Sequence, residues 1–339
     1  MSLLLFLAAT AAAPQPAELK TFGDWIVGCD NGRACHAVGL MPESLPEDAL
    51  TMSVRRGPEA GARPVIAFET RLESAAVAVA ADGKPLRLRL ATDRDGGLAV
   101  APADAPALLA AMRGAAELQL RGADGKAAGR VSLKGLTAAM LYIDEQQRRI
   151  GTVTALVRPG AKPASAVPAP PTLPRVVEVR PAGTSRLAAP PARLIEAMRK
   201  RAGCDESLPP AENPPERQRL DSRTTLLLVP CWRGAYNATS LVLVARKADG
   251  GDFAPARFDY NASAGEQTGP TVPPDGAYWD EGTRRLASFF KGRGLGDCGA
   301  GQEWAWDGEM FRLIHAEAMG ECRGSTDYIT TWRAQVVRK

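Results

Sequence analysis

The chain has 339 residues, 45% of them hydrophobic and 24% charged, with a formal net charge of +4. It is long enough for two ordinary domains with separate cores, and too weakly basic to point to nucleic acid. Its arginines are scattered singly through Arg55, Arg87, Arg113, Arg223 and Arg284, the pattern of a solvated surface. After Ala13 no apolar run approaches the roughly 20 residues a membrane helix needs.

The chain opens with Met1-Ser-Leu-Leu-Leu-Phe-Leu and a run of small residues ending at Ala13. This is too short to span a bilayer and reads as a secretory signal over 1–17, although the usual positive n-region is missing. Ile26-Val-Gly-Cys29 looks like a lipobox, but charged and proline residues separate it from the apolar core and Trp25 stands where small residues are wanted. A first strand over 24–29, closed by a short disulfide loop, is the better account.

Strand patterns follow over 51–55, 65–68, 86–90 and 117–120, with tight turns at Asp82-Gly83 and Asp124-Gly125. Two segments carry helical spacing. One covers 103–112, with an aspartate in its first turn and Leu108, Leu109 and Met112 on one face. The other covers 133–148, with Leu136, Met140 and Ile143. Residues 18–158 therefore form a strand-dominated α+β domain.

The stretch 159–191 is rich in proline and alanine and reads as a semi-rigid linker. Within it, Arg175-Val-Val-Glu-Val-Arg180 has the pattern of a short strand for either neighbour. The second domain, 192–339, starts with an amphipathic helix over 192–202, Leu194, Ile195 and Met198 inward and Arg193, Arg199, Lys200 and Arg201 outward. A β-meander is expected next, with strands over 224–232, 240–246, 253–260, 284–290, 303–306, 310–315 and 328–337. Turns fall at Asp249-Gly-Gly251 and Asp307-Gly308.

Six cysteines lie in three nearby couples: Cys29 with Cys35, Cys204 with Cys231, and Cys298 with Cys322. In an exported chain this implies three local disulfides. A loop of about 25 residues contributes roughly 3.5 kcal/mol and the tight first loop roughly 2.4 kcal/mol on the chain-entropy estimate.

Several phrases together resemble one family. They are Phe22-Gly-Asp-Trp-Ile-Val-Gly-Cys-Asp-Asn31, Cys35-His-Ala-Val-Gly39, Val131-Ser-Leu-Lys-Gly-Leu-Thr-Ala-Ala139, Pro230-Cys-Trp-Arg-Gly-Ala-Tyr-Asn237, Lys291-Gly-Arg-Gly-Leu-Gly-Asp-Cys-Gly299, Trp306-Asp-Gly308 and Glu321-Cys-Arg323. The chain resembles exported bacterial proteins of the domain of unknown function 1176 family, and its N-terminal half is similar to invasion-associated locus B proteins. The resemblance implies a periplasmic or secreted, disulfide-bearing protein and carries no catalytic residues. Trp232 departs from it, since a smaller residue is expected there.

Candidate chemistry is sparse. Lys291-Gly-Arg-Gly-Leu-Gly-Asp297 could cradle an anion, with Lys291 and Arg293 as its charge partners and glycines admitting the backbone. The bland reading is that Gly292, Gly294 and Gly296 only permit positive φ before Cys298. Trp304 and Trp306 share one strand face and either stack on sugar rings or belong to the core. Asp280 and Glu281 beside Trp279, and Asp307 and Glu309 beside Trp306, are the carboxylates a glycan hydrolase would need. The two histidines, His36 and His315, read as structural or surface residues, so no metal site is expected. No Gly-x-Ser-x-Gly elbow occurs.

The expectation is an α+β, mainly β protein: two disulfide-stapled β-rich domains with a few short helices, joined by a Pro/Ala-rich linker. It is read as a periplasmic or secreted binding protein without enzyme activity or cofactor. Its partner is an unknown envelope component or anionic ligand, not nucleic acid, and it has no membrane span. Ligand-binding candidates are Lys291, Arg293, Trp304 and Trp306. A carboxylate-based glycan hydrolase, an inhibitor and a structural envelope component are the alternatives.

Overall fold

The computed structural model describes residues 13–44, 48–69, 78–92, 97–122, 125–180, 190–246, 252–262 and 271–339. The signal core, the Asp249-Gly-Gly251 turn and Asp124 lie outside the described residues.

The first half opens, among the described residues, with β1 (Lys20–Phe22), β2 (Trp25–Cys29), β3 (Cys35–Gly39), β4 (Thr51–Arg56), β5 (Val65–Glu69), β6 (Ala78–Ala81), β7 (Lys84–Leu86), β8 (Leu90–Thr92) and β9 (Leu98–Val100). Helix α1 (Ala105–Met112), β10 (Glu117–Arg121), β11 (Ala127–Ser132) and helix α2 (Leu136–Gln146) follow. An antiparallel sheet runs in the order β1-β2-β3-β4-β5-β9-β8, and a smaller one in the order β11-β10-β6-β7. Alternation along the strands sends Trp25, Val27, Ala37, Met52, Val54, Ile66 and Phe68 into one core. There they meet Leu108, Leu109 and Met112 of α1 and Leu136, Met140 and Ile143 of α2. Gly135 (φ +98°) starts α2 hard against the β1–β2 turn: a Cβ there would stand 1.6 Å from the Phe22 carbonyl oxygen.

Asp104 does not cap α1 with its side chain; its carboxylate grips the backbone and guanidinium of Arg89. The expected 86–90 strand is two short strands, interrupted over 87–89. The Asp82-Gly83 turn is present, with both residues at positive φ.

In the second half β12 (Arg175–Glu178) precedes helix α3 (Ala192–Ala202). A four-stranded sheet joins β13 (Glu216–Arg219), β14 (Thr225–Arg233), β15 (Ala238–Ala245) and β16 (Ala254–Pro255) in that order. A five-stranded sheet joins β17 (Ala277–Asp280), β18 (Arg285–Lys291), β19 (Gly299–Trp306), β20 (Phe311–Met319) and β21 (Ile329–Arg333). The last strand, β22 (Gln335–Arg338), runs parallel to β12. Of the strand expected over 253–260, only Ala254–Pro255 pairs as a strand, and the one expected over 328–337 divides at Ala334.

One face of β14 (Leu226, Leu228) enters a core with Phe258, Trp304, Trp306, Phe311 and Leu313. The other face (Leu227, Val229) meets Ile195 of α3. Being buried on both sides explains why this strand reads as a continuous apolar run. Arg199 of α3 points inward, against the expectation, and donates to the carbonyls of Pro230 and Asp205. Those bonds satisfy its charge beside the Cys204–Cys231 bridge.

The three disulfides join the expected couples. Cys29 and Cys35 are direct cross-strand partners on β2 and β3. The described part of the Pro/Ala-rich stretch lies against both halves: Lys162 N–H donates to Gly151 O and Lys162 O accepts from Val153 N–H, and Gln335 N–H donates to Pro174 O as β22 meets β12.

The halves share a seam. Ile26, Val38 and Leu40 from the first half close on Cys298, Met319 and Ile329 from the second. Around this apolar centre the strap between β20 and β21 reaches across. Arg323 pairs with Asp24, Asp327 with Arg55, and Ser325 Oγ donates to Glu69. Arg333 adds a pair with Asp30 and exchanges backbone–side-chain hydrogen bonds with Asn31 at 2.8 and 2.9 Å.

Candidate functional site

Lys291 ends β18 and Arg293 lies on the loop that leads to β19, and the structure brings a second element against them. The hairpin joining β14 to β15 closes through Gly234 N–H donating to Asn237 O at 2.8 Å. The Asn237 side chain then accepts from Lys291 N–H at 2.9 Å and donates to Lys291 O at 2.8 Å. Tyr236 donates its hydroxyl to Gly292 O at 3.2 Å. Hairpin and glycine loop therefore form one surface.

Disulfides anchor both parts. Cys231 sits one residue before Trp232, and Cys298 closes the glycine loop. The pairing register shifts between Pro230 and Trp232, a bulge that re-aims the strand end. Trp232 is consequently 55% exposed and Tyr236 47% exposed, while Leu295 at the loop tip is 75% exposed. Exposed aromatic rings on a rigid, twice-anchored hairpin are a stacking surface at low entropic cost.

The charges on the loop are unequal. Arg293 Nε donates to Asp297 at 2.7 Å, and this bond to the carboxylate raises the guanidinium above its ordinary value. Asp297 is correspondingly held low, first by Arg293 and also by the Gly324 N–H. Arg293 is thus committed to shaping the loop. Lys291 has no ion pair among the described residues, which leaves it, beside the exposed Arg233 of the hairpin, as a cation of the surface.

Gly292 and Gly294 do not have positive φ; Gly296 does, at +71°. Gly292 is required for a different reason, since a Cβ there would lie 2.7 Å from the Cys298 sulfur.

Trp304 and Trp306 are corrected as ligand residues. They are 0% and 4% exposed and are packed on Phe258 and Phe311, with their indole N–H groups donated to Tyr260 O and Asp221 Oδ2. Their shared face is the core face. Each suggested carboxylate is also engaged. Asp280 accepts from Gly282 and Thr283, Glu281 from Gln218, and Asp307 from Glu309, Met310 and Arg312, while Glu309 pairs with Arg257.

His315 lies on β20, as its strand-like run implies, and His36 is buried on β3 at the seam, the structural of its two expected placements. Among the described residues no three His, Cys, Asp or Glu side chains gather as a metal site, and no helix is long and apolar enough to cross a membrane.

Trp232 and Tyr236 were not among the site residues expected from the sequence, because the bulge between Pro230 and Trp232 interrupts the period-two alternation and Tyr236 sits in the turn beyond the strand.

A family model described as "Protein of unknown function (DUF1176)" matches residues 19–335. The uncharacterized protein YpfG of Escherichia coli (strain K12) is 30% identical over 331 residues, covering 94% of this chain and 93% of that protein. The crystal structure of invasion associated protein b from Bartonella henselae shows 17% identity and a TM-score of 0.30, covering 39% of this chain and 99% of that one.

Proposed function

This chain belongs to the DUF1176 family of proteins of unknown function, and from that membership we propose an exported, non-enzymatic protein that binds an acidic glycan of the bacterial envelope. Three disulfides with no free cysteine fit an oxidising compartment, the periplasm or the exterior. The observation that carries the binding reading is the exposure of Trp232 and Tyr236 on a hairpin locked to the loop of Lys291. The aromatic faces stack on sugar rings, and Lys291 attracts a carboxylate or phosphate carried by the polymer.

Retention of the mature protein on an immobilised acidic envelope polysaccharide tests this reading. Trp232→Ala and Tyr236→Ala should each weaken retention about 3- to 10-fold. Lys291→Ala should flatten its salt dependence. Undiminished retention in the Trp232→Ala/Tyr236→Ala double variant would end the proposal. Arg293→Ala acts through the loop, so it should lower stability as well.

A further inference from the structure

Asn31 is the only asparagine of the chain that is followed by glycine. It lies in the hairpin loop that the Cys29–Cys35 bridge closes. In an unconstrained chain this dipeptide is chemically labile, because glycine has no Cβ to hinder the approach of its own amide. The Gly32 nitrogen attacks Cγ of Asn31, the new C–N bond closes a five-membered imide, and the bond from Cγ to Nδ2 breaks. The displaced nitrogen leaves as ammonia, taking up the proton that Gly32 gave up. One water then opens the imide to aspartate or to isoaspartate, in which the main chain runs through the former side chain. No electrons are gained or lost.

The fold holds both reacting groups off this path. Gly32 N–H donates to Asp30 Oδ1 at 2.8 Å, which keeps the nitrogen protonated and turned into its own loop. The Asn31 carboxamide is tied at both atoms to the backbone of β21. Arg333 N–H donates to Oδ1 at 2.8 Å, and Nδ2 donates to Arg333 O at 2.9 Å. Asp30, which is buried, is itself gripped by the Arg333 guanidinium. Arg333 of the second half thus supplies two restraints directly and steadies the third.

The seam also explains why so labile a pair stands here. A Cβ on residue 32 would lie 3.0 Å from both Arg333 Nη2 and Leu173 Cδ2, so the close approach demands glycine. Residue 31 has to offer β21 a donor and an acceptor side by side, which the asparagine amide does.

We propose that Asn31-Gly32 is a latent deamidation site guarded by β21, so that opening of the seam is recorded covalently and hinders its own reversal. Aspartate at position 31 still accepts from Arg333 N–H, but it turns an oxygen instead of Nδ2 toward Arg333 O. It also sets a second carboxylate beside Asp30. Isoaspartate adds one backbone atom to a loop whose ends the disulfide fixes. Either product withdraws the donor that Arg333 O had in the closed seam, so the modified chain recloses less readily.

The full mature protein, disulfides intact, is incubated at mildly alkaline pH both folded and unfolded in urea. Peptide mapping follows the mass gain as the Asn31 amide becomes a hydroxyl. The folded chain should convert at least about 30-fold more slowly than the unfolded one, in proportion to the rarity of the open seam. Ser325→Ala removes a single bond across the seam, to Glu69, and should speed conversion of the folded chain about 3- to 10-fold. Asn31→Asp, which imitates one product, should raise amide hydrogen exchange along β21 over the wild type. Equal conversion in the folded and unfolded wild type overturns the guarding role of β21. A Ser325→Ala rate equal to the wild type overturns the link to the seam, and unchanged exchange in Asn31→Asp overturns the hindered reclosure. The comparison of folded with unfolded wild type needs no variant and decides the matter where a variant fails to fold.

Discussion

A methyl group on Gly292 would stand 2.7 Å from the Cys298 sulfur, whereas one on Gly294 would meet only the Tyr236 ring at 3.8 Å. Gly292→Ala should therefore cost about 1–3 kcal/mol as the disulfide or the loop gives way. Gly294→Ala should stay within about half a kcal/mol. Thermal melts of the two variants measure the difference, and equal melting temperatures would contradict the packing. At this scale the sequence was readable in kind but not in place. Three glycines in one loop look alike in a string, yet one is set by a sulfur, one by its φ and one by neither. Trp304 and Trp306 show the same gap: period two puts them on a common face, and only the neighbours Phe258 and Phe311 decide that it is the core face.

Among the elements, α3 gives the clearest lesson. Its span was legible because an apolar stripe runs along a charged helix. The inward turn of Arg199 was not, since its partners are backbone carbonyls that no side-chain pattern announces. Arg199→Ala removes the guanidinium donor of the Pro230 carbonyl and one of the two donors of the Asp205 carbonyl, and should destabilise the chain by about 1–3 kcal/mol. Arg193→Ala, on the exposed face, should be near neutral. Urea titration of both variants provides the comparison. Short strands were lost for a related reason: β6 is a four-residue alanine-rich run and β11 is only partly apolar, and both gain their order from the β10 ladder between them. The disulfide couples were legible because their sequence separations are short.

For the molecule as a whole, the seam governs the response to pH. Burial depresses the His36 imidazole below its usual 6.5, so the unfolded chain takes up the proton more readily. Stability from neutral His36 is present above roughly pH 6.5 and is lost as the pH falls through the lowered value. Glu69 acts in the opposite sense. Burial raises its carboxyl above the usual 4.5, with the Asp327 charge adding to the shift. Its contribution is present at acid pH and is lost as the pH rises through the raised value. Melting curves across pH 4–8 should therefore show His36→Gln losing its disadvantage in acid, and Glu69→Gln gaining on the wild type toward neutrality. Parallel curves for all three proteins would remove the seam from the pH response.

The same boundary carries the buried Asp24–Arg323 pair, and Arg323→Ala should cost about 3–5 kcal/mol by stranding the carboxylate. The proline-rich stretch announced two halves; it could not announce how closely they join, because that depends on pairs some 300 positions apart, Asp24 with Arg323 and Asp30 with Arg333.

That separation also sets an order in time. A ribosome finishes the face of Ile26, Val38 and Leu40 long before it makes Met319 and Ile329, the residues that cover it. Until β20, β21 and the strap between them exist, the first half carries an uncovered apolar face, and Asp24 and Asp30 lack their arginine partners. The nascent protein is thus a natural client for a holdase, and truncation before β20 would leave that adhesive face without Met319 and Ile329 for good.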